Sequence, residues 1–335
     1  MPTKYNNIKR LLQRAAEELR ATADIAKATS IIDAAATFVA KIDIQVMNRN
    51  GFRETPAVKR RLMRKHKVML RCFEEKFSDF TQNYDFDRPL GDCPAELQNR
   101  IWVCWWQGLD QAPEIVKACV ESIRKHAGDR TLTIITEENY KNYVSVPAWI
   151  EEKYRAGIIT RTNYSDLLRL SLLAQYGGIW LDATFFCTGE IVADKPLWSI
   201  KRPDYLHGSV AGGYFAGYSL GCDFDSRWIF ATIRDFFLHY WAENDRMIDY
   251  LLIDYMIVLA QRLDPRIQAA FDRIEPNQPD CDELVKLLGK PFDEEKWQEI
   301  KKDTTLFKLT WKQAFPEQAD EEDTFYKKLV DGKLE

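Results

Sequence analysis

Asp166 and Arg169 stand three residues apart in Ser165-Asp166-Leu167-Leu168-Arg169, and Asp182 follows behind Gly177-Gly178-Ile179-Trp180-Leu181. At that spacing the acid and the base share one face of a helix. Leu167, Leu168, Leu170, Leu172 and Leu173 are left to pack on its other sides. The diglycine suits a left-handed helix cap and a close backbone approach. Ile179–Leu181 then reads as a short strand that ends on Asp182. Ligands of α/β sheets gather at the carboxyl ends of strands. A guanidinium and two carboxylates delivered there suit a polar, anion-bearing ligand; the alternative is that Asp166 and Arg169 form only a structural intrahelical pair. A second pair of acids, Asp249 and Asp254, interrupts an apolar helix expected over 248–263. Charges in a buried stripe need a partner or a use. Five residues apart, they lie on different faces, so one is expected to face the cleft and the other to be matched by Arg246 or Arg262.

The surrounding pattern supplies a frame for these groups. Arg88–Pro94 carries proline and glycine and reads as a linker. After it come an apolar strand over Ile101–Trp106, a helix over Pro113–His126 and a β-branched strand over Thr131–Thr136. Strands alternating with helices imply a parallel sheet. Before the linker, Ile8 to Phe86 is helical in pattern, two or three long helices with a break at Asn48–Gly51. Beyond the motif, 204–222 is rich in Gly, Ser and Tyr. There Gly212-Gly213-Tyr214-Phe215-Ala216-Gly217 either brings backbone close to a ligand or only turns the chain. Helices are expected over 226–241 and 248–263, and a solvated acidic helix after Pro316. The expected organisation is a helical region over 1–98, an α/β domain over 99–315 and an acidic tail over 316–335.

Composition closes off several function classes. A chain of 335 residues, 46% hydrophobic and 29% charged, is that of a globular protein with a substantial core. A net charge of −4 provides no global field for nucleic acid. Neither a dinucleotide-binding glycine motif nor a phosphate-loop lysine occurs. Seven scattered cysteines make neither a disulfide framework nor a zinc site, and four histidines are few for histidine-ligated chemistry. The charged start Met1–Arg10 lacks a signal pattern, and Ile248–Ala260, the most apolar stretch, is too short to span a bilayer. The expected location is the cytoplasm, at the inner face of the plasma membrane. Lys59–Arg71 holds seven Lys/Arg and no acid, either a solvated basic face or a contact for anionic headgroups.

The block Ser165–Arg169 with Tyr176-Gly177-Gly178-Ile179-Trp180-Leu181-Asp182-Ala183-Thr184 resembles the signature of the capsular polysaccharide synthesis glycosyltransferases, relatives of the glycosyltransferases with a DXD sugar-binding motif. Ile101–Gly108, Ile248–Tyr255 and Lys308–Lys312 are similar to family segments in the same order, so the resemblance spans about residue 100 to 312. It implies an α/β fold, a GT-A-like Rossmann-type nucleotide-sugar-binding domain with a mostly parallel central sheet. By the same resemblance Asp182, Asp249 and Asp254 are the catalytic candidates. Asp166, Arg169, Gly178, Asp182, Thr184, Lys308 and Lys312 would bind the donor, with Lys308 and Lys312 either clamping its diphosphate or being ordinary surface lysines. Trp105, Trp106 and Gln107 would reach the nucleotide base, although most tryptophans at a strand are core, and Tyr214 and Tyr250 would meet the acceptor. The implied cofactor is Mn²⁺ or Mg²⁺ on Asp182, with Thr184 standing where a second acidic ligand is usual; a hydroxyl is a much weaker ligand.

The resulting expectation is an enzyme that moves a hexose of galactose or glucose type from a UDP-sugar to a lipid-linked oligosaccharide or other glycan, with retention, in bacterial surface polysaccharide synthesis. The competing reading is a non-catalytic sugar-nucleotide or glycan-binding subunit whose helical region serves assembly. A glycoside hydrolase, with Asp249 and Asp254 as its carboxylates, is a third.

Overall fold

The computed structural model describes residues 18–51, 53–193 and 196–334. The amino-terminal Met1–Arg10 and the first part of the helix expected from Ile8 lie outside the described residues. The chain enters in a helix, α1 (18–28), followed by α2 (Ile31–Arg49), α3 (Pro56–Lys76) and the short α4 (Ser78–Gln82). Ser30 caps α2 by accepting from the Asp33 N–H, and Thr55 caps α3, which has proline in its first turn. The break expected at Asn48–Gly51 is where α2 hands over to the turn before α3.

Next come β1 (Arg100–Cys104), α5 (Glu114–Lys125), β2 (Thr131–Ile135), α6 (Ala148–Arg155), α7 (Arg161–Tyr176) and β3 (Gly178–Leu181). They are followed by β4 (Phe185–Cys187), β5 (Leu197–Ser199), β6 (Ser219–Cys222), α8 (Arg227–Glu243), α9 (Leu252–Leu263) and α10 (Pro265–Asp272). The main sheet has the order β2-β1-β3-β6-β5. β1 runs parallel to β2 and β3, while β6 opposes both β3 and β5. Four strands therefore share a direction and β6 alone is reversed, a mixed α/β sheet that is mainly parallel.

Side chains alternate across the sheet. Trp102, Trp180 and Leu220 join one apolar cluster with α7, α8 and α9; Ile101, Val103, Ile179 and Leu181 join another with α5 and the C-terminal elements. Both faces are covered, which is why the strands read as continuous apolar runs. The N-terminal helices belong to the first cluster: Phe73 packs on Tyr240 and Tyr255, and Phe77 on Phe236.

Past α11 (Leu284–Leu287) and α12 (Glu294–Lys301), β7 (Leu306–Lys308) pairs antiparallel with β4, placing Lys308 opposite Phe185. The acidic stretch after Pro316 is not a solvated helix. It forms the hairpin β8 (Gln318–Ala319) and β9 (Glu322–Asp323), then α13 (Phe325–Val330), whose Phe325 and Leu329 are buried. The apolar side chains beyond the acids decide this, because their burial anchors the segment to the core. Among the described residues no helix is long and apolar enough to cross a membrane.

Candidate functional site

α7 begins at Thr160, whose hydroxyl accepts from the Asn163 N–H, and carries Asp166 and Arg169 on one buried face. It ends at Gly177, with φ +69°, and Gly178, with φ +86°. A Cβ on Gly178 would lie 2.4 Å from the Arg100 carbonyl oxygen, so no other residue fits between α7 and β1. Gly178, expected to bind the donor, is thus a packing residue that lets β3 dock on β1. β3 then delivers Asp182 to the carboxyl end of the parallel strands.

Arg169 is the centre of the cluster. Its Nη2 lies 3.4 Å from Asp166 Oδ1 and 3.3 Å from Asp182 Oδ1, and its Nη1 donates to the Gly217 carbonyl. The guanidinium stacks over the Trp180 ring at 4.9 Å, and Trp180 Nε1 donates to Asp182 Oδ1 at 3.1 Å. Arg169 Nε is buried with no protein acceptor. On the other oxygen of Asp182 the β4–β7 pairing brings Lys308, whose Nζ lies 3.6 Å from Oδ2 and donates to Thr184 Oγ1 at 2.7 Å. Asp166 and Arg169 are almost fully buried, whereas the Asp182 side chain is 32% exposed. The cluster therefore opens to solvent at Asp182.

Asp254, on α9, closes the cluster from across Gly217. A Cβ on Gly217 would stand 2.8 Å from Asp254 Oδ1 and 3.7 Å from Arg169 Nη1, so glycine is what allows these groups to converge. Ser209 Oγ donates to Asp254 Oδ2 at 2.5 Å. Burial pushes the Asp254 carboxyl up to about 6 against the Ser209 hydrogen bond, with the Asp166 charge adding to the rise. Asp166 is likewise raised to about 6 by burial, which Arg169 opposes and Asp182 reinforces. Cys104, at the end of β1, is pushed up to about 12 by burial, so it is no thiolate nucleophile.

Asp249 is elsewhere. α9 starts at Leu252 rather than 248, and Asp249 sits in the preceding turn, paired with the buried Lys65 of α3 at 2.7 Å. Its partner is thus neither expected arginine: Arg246 bonds Asp24 and Arg262 bonds Glu74. A lysine some 180 positions upstream leaves no local signal for such a match. Burial would raise the Asp249 carboxyl, but Lys65, with Lys41 and the Leu251 N–H, holds it below its ordinary value. Beside this pair, His66 Nε2 lies 2.9 Å from the His207 carbonyl, which only accepts, so Nε2 carries the proton and Nδ1 accepts from Tyr255 at 2.7 Å. Burial and the Lys65 charge lower His66 to about 4 and keep it neutral.

Among the other expected site residues, Trp106 is a core residue against Tyr140, Tyr154 and Tyr164. Trp105 is half-buried and meets Trp311 edge-on at 5.5 Å, which leaves it facing the C-terminal segment. Gln107 is exposed. Tyr250 is largely exposed and within the field of Asp166 and Asp182, whereas Tyr214 lies against Lys201 rather than the cluster. Lys312 is exposed, and only Lys308 of the lysine pair reaches Asp182. Sequence reasoning passed over Ser209 and Trp180, and gave the backbone of 212–217 a role only as one of two alternatives. Trp180 sat inside the quoted motif and Gly217 closed the glycine-rich segment; Ser209 carried no signal.

The family model for capsular polysaccharide synthesis protein matches residues 49–329. The chain belongs to that family. The match takes in α3 and so joins the helical region to the α/β part, in keeping with the apolar cluster they share. A search of curated proteins gave no match. Among solved structures, the PaToxG Glycosyltransferase is similar at 14% identity, over 63% of this chain and 84% of that one, with a TM-score of 0.35.

Proposed function

We propose that this family member is a glycosyltransferase of GT-A-like fold that moves a hexose, of galactose or glucose type, from a UDP-sugar to a lipid-linked oligosaccharide or other glycan in bacterial surface polysaccharide synthesis, with retention at the transferred carbon. The observation that supports it most is the convergence of two cations, Arg169 and Lys308, on the one carboxylate that meets solvent at the strand end. Transfer from a nucleotide sugar needs the diphosphate's growing negative charge neutralised and the sugar hydroxyls held. Lys308 suits the first task as a point charge, and Arg169 as a preorganised fork with one N–H still unpartnered. Asp182 suits the second. Asp254, with its carboxyl near 6, suits a proton exchanged with the acceptor hydroxyl.

A divalent ion at this site would be held by Asp182 and Thr184. Asp182 Oδ1 already takes the Arg169 and Trp180 N–H groups, its Oδ2 faces Lys308, and Thr184 Oγ1 accepts from Lys308. Mn²⁺ and Mg²⁺ require several oxygen ligands and would enter beside two fixed cations. Among the described residues no group of three His, Cys, Asp or Glu converges to make good the deficit. The donor set does not fit a protein-held divalent ion, and we assign its counter-charge to Lys308.

The test is a thermal-shift screen of UDP-, GDP-, CMP- and dTDP-sugars, with and without Mn²⁺, followed by transfer assays in EDTA. A ligand specific to the folded state raises its stability by mass action. A UDP-sugar is expected to stabilise the protein and be transferred equally well in EDTA. Asp182→Asn and Lys308→Ala are each expected to lose about 100-fold or more in transfer with melting unchanged. Full transfer by Asp182→Asn sinks the assignment. Strict Mn²⁺ dependence returns the counter-charge to a metal, and nucleotide binding without transfer to any acceptor favours the binding-subunit reading.

A further inference from the structure

The outer face of the α2–α3 hairpin carries two stripes that the transfer chemistry does not use. On α2, Ile32, Ala35, Val39, Ile42 and Val46 recur at alternating steps of three and four, which aligns them along about 21 Å of helix. All five are exposed, Ile32 at 72% and Val46 at 49%, and Ile31 at 81% extends the stripe at its start. On α3, Arg60, Arg64, Lys67 and Arg71 recur at steps of four, three and four, with the exposed Met63 beside them. The pairs Arg61–Asp43, Arg64–Asp33 and Arg71–Asp33 fasten this basic stripe alongside the apolar one. Ala35, Ala36, Val39, Arg61 and Arg64 line a shallow groove between them.

We infer that this face docks on an anionic lipid surface, with the α2 stripe entering the headgroup–acyl boundary and the α3 stripe meeting the phosphates. An aligned row of exposed branched side chains on a folded protein marks an interaction site. The adjoining charge selects the occupant. Leaving out Lys65, which is buried against Asp249, α3 carries seven Lys/Arg against two Glu, in a chain whose net charge is −4. Basic and apolar side chains side by side are the signature of helices that lie in the membrane interface. A second copy that met this face with both stripes in register would instead bring one basic stripe against another. The inference stands apart from the transfer reaction, since lipid binding is read without donor or acceptor.

The full chain is to be sedimented with phosphatidylcholine vesicles with and without about 30% phosphatidylglycerol, at low and at about 1 M salt. The wild type is expected to bind the anionic vesicles, not the neutral ones, and to be released by salt. The variants V39E/I42E and R60E/K67E, all at exposed positions, are each expected to bind at least tenfold more weakly while melting as the wild type does. Equal binding of V39E/I42E and wild type overturns the inference, as does no wild-type binding to anionic vesicles. A wild-type dimer that V39E/I42E converts to monomer, with no vesicle binding by either, assigns the stripe to a second copy.

Discussion

Asp249 and Asp254 lie five residues apart, both buried, yet the protein treats them in opposite ways. Asp249 faces Lys65 across 2.7 Å in a closed pocket behind the N-terminal helices. Asp254 has a serine hydroxyl on one oxygen and, across Gly217, the carbonyl-bound edge of Arg169. The first carboxyl is held below its ordinary value and the second is raised to about 6. A buried charge that is fully matched stabilises one conformation and has nothing left for a ligand. One kept short of counter-charge is poised to exchange a proton near neutral pH. That difference separates the structural polar pocket from the candidate site.

The largest effect should come from unmatching the first pocket. Lys65→Met leaves Asp249 buried without its partner and is expected to cost about 3–5 kcal/mol of folding stability in denaturant titration. The double change K65M/D249L should recover most of that loss, whereas Lys308→Ala at the solvent edge of the other cluster should cost little stability. Wild-type stability in Lys65→Met would mean that the pair does not hold α3 to the turn before α9.

The second break uses pH, where the two aspartates have opposite signs. A raised folded-state value means that the folded chain binds more protons than the unfolded one, so Asp254 and Asp166 make stability fall as pH rises from about 4 to about 6. Asp249 contributes stability that is present above about 4 and lost below it. Asp254→Asn should flatten the decline between pH 4 and 6 by up to about 3 kcal/mol relative to wild type. It should also remove a rise in transfer rate centred near pH 6. An unchanged stability slope in this variant would place the titration on Asp166 alone.

A finer probe is Gly217→Ala. The added methyl meets Asp254 Oδ1 at 2.8 Å and must push it from Ser209 or Arg169. A loss of about 1–3 kcal/mol is expected, with weaker donor binding in the same thermal-shift assay. Wild-type stability with wild-type transfer would show that α9 moves freely and that the convergence at Gly217 is loose.

Much of the site was legible because its groups are local in sequence. Asp166, Arg169, the diglycine and Asp182 lie on one helix–turn–strand unit, and helical period plus glycine conformation bring them together without reference to the rest of the chain. The strand order was legible only in part. Alternation gave parallel β1, β2 and β3, but the reversed β6 depends on a glycine-rich segment whose turns have no periodicity. The α9 start was misplaced for a related reason: apolar composition runs through 248–251, yet the Lys65–Asp249 pair holds those residues in a turn. Trp106 read as a ligand because its strand-end position was visible and its aromatic neighbours were not.

The sequence alone determined the motif that ends on Asp182, the α/β alternation and the helical start, since each follows from contacts within a few residues. Tertiary structure decided which charges meet. Lys308 reaches Asp182 through the β4–β7 pairing, α9 brings Asp254 to Ser209 and to the edge of Gly217, and α3 brings Lys65 to Asp249. Such encounters bring distant chain segments into a low-dielectric interior, where position, not residue type, fixes whether a carboxylate is neutralised or left ready to react.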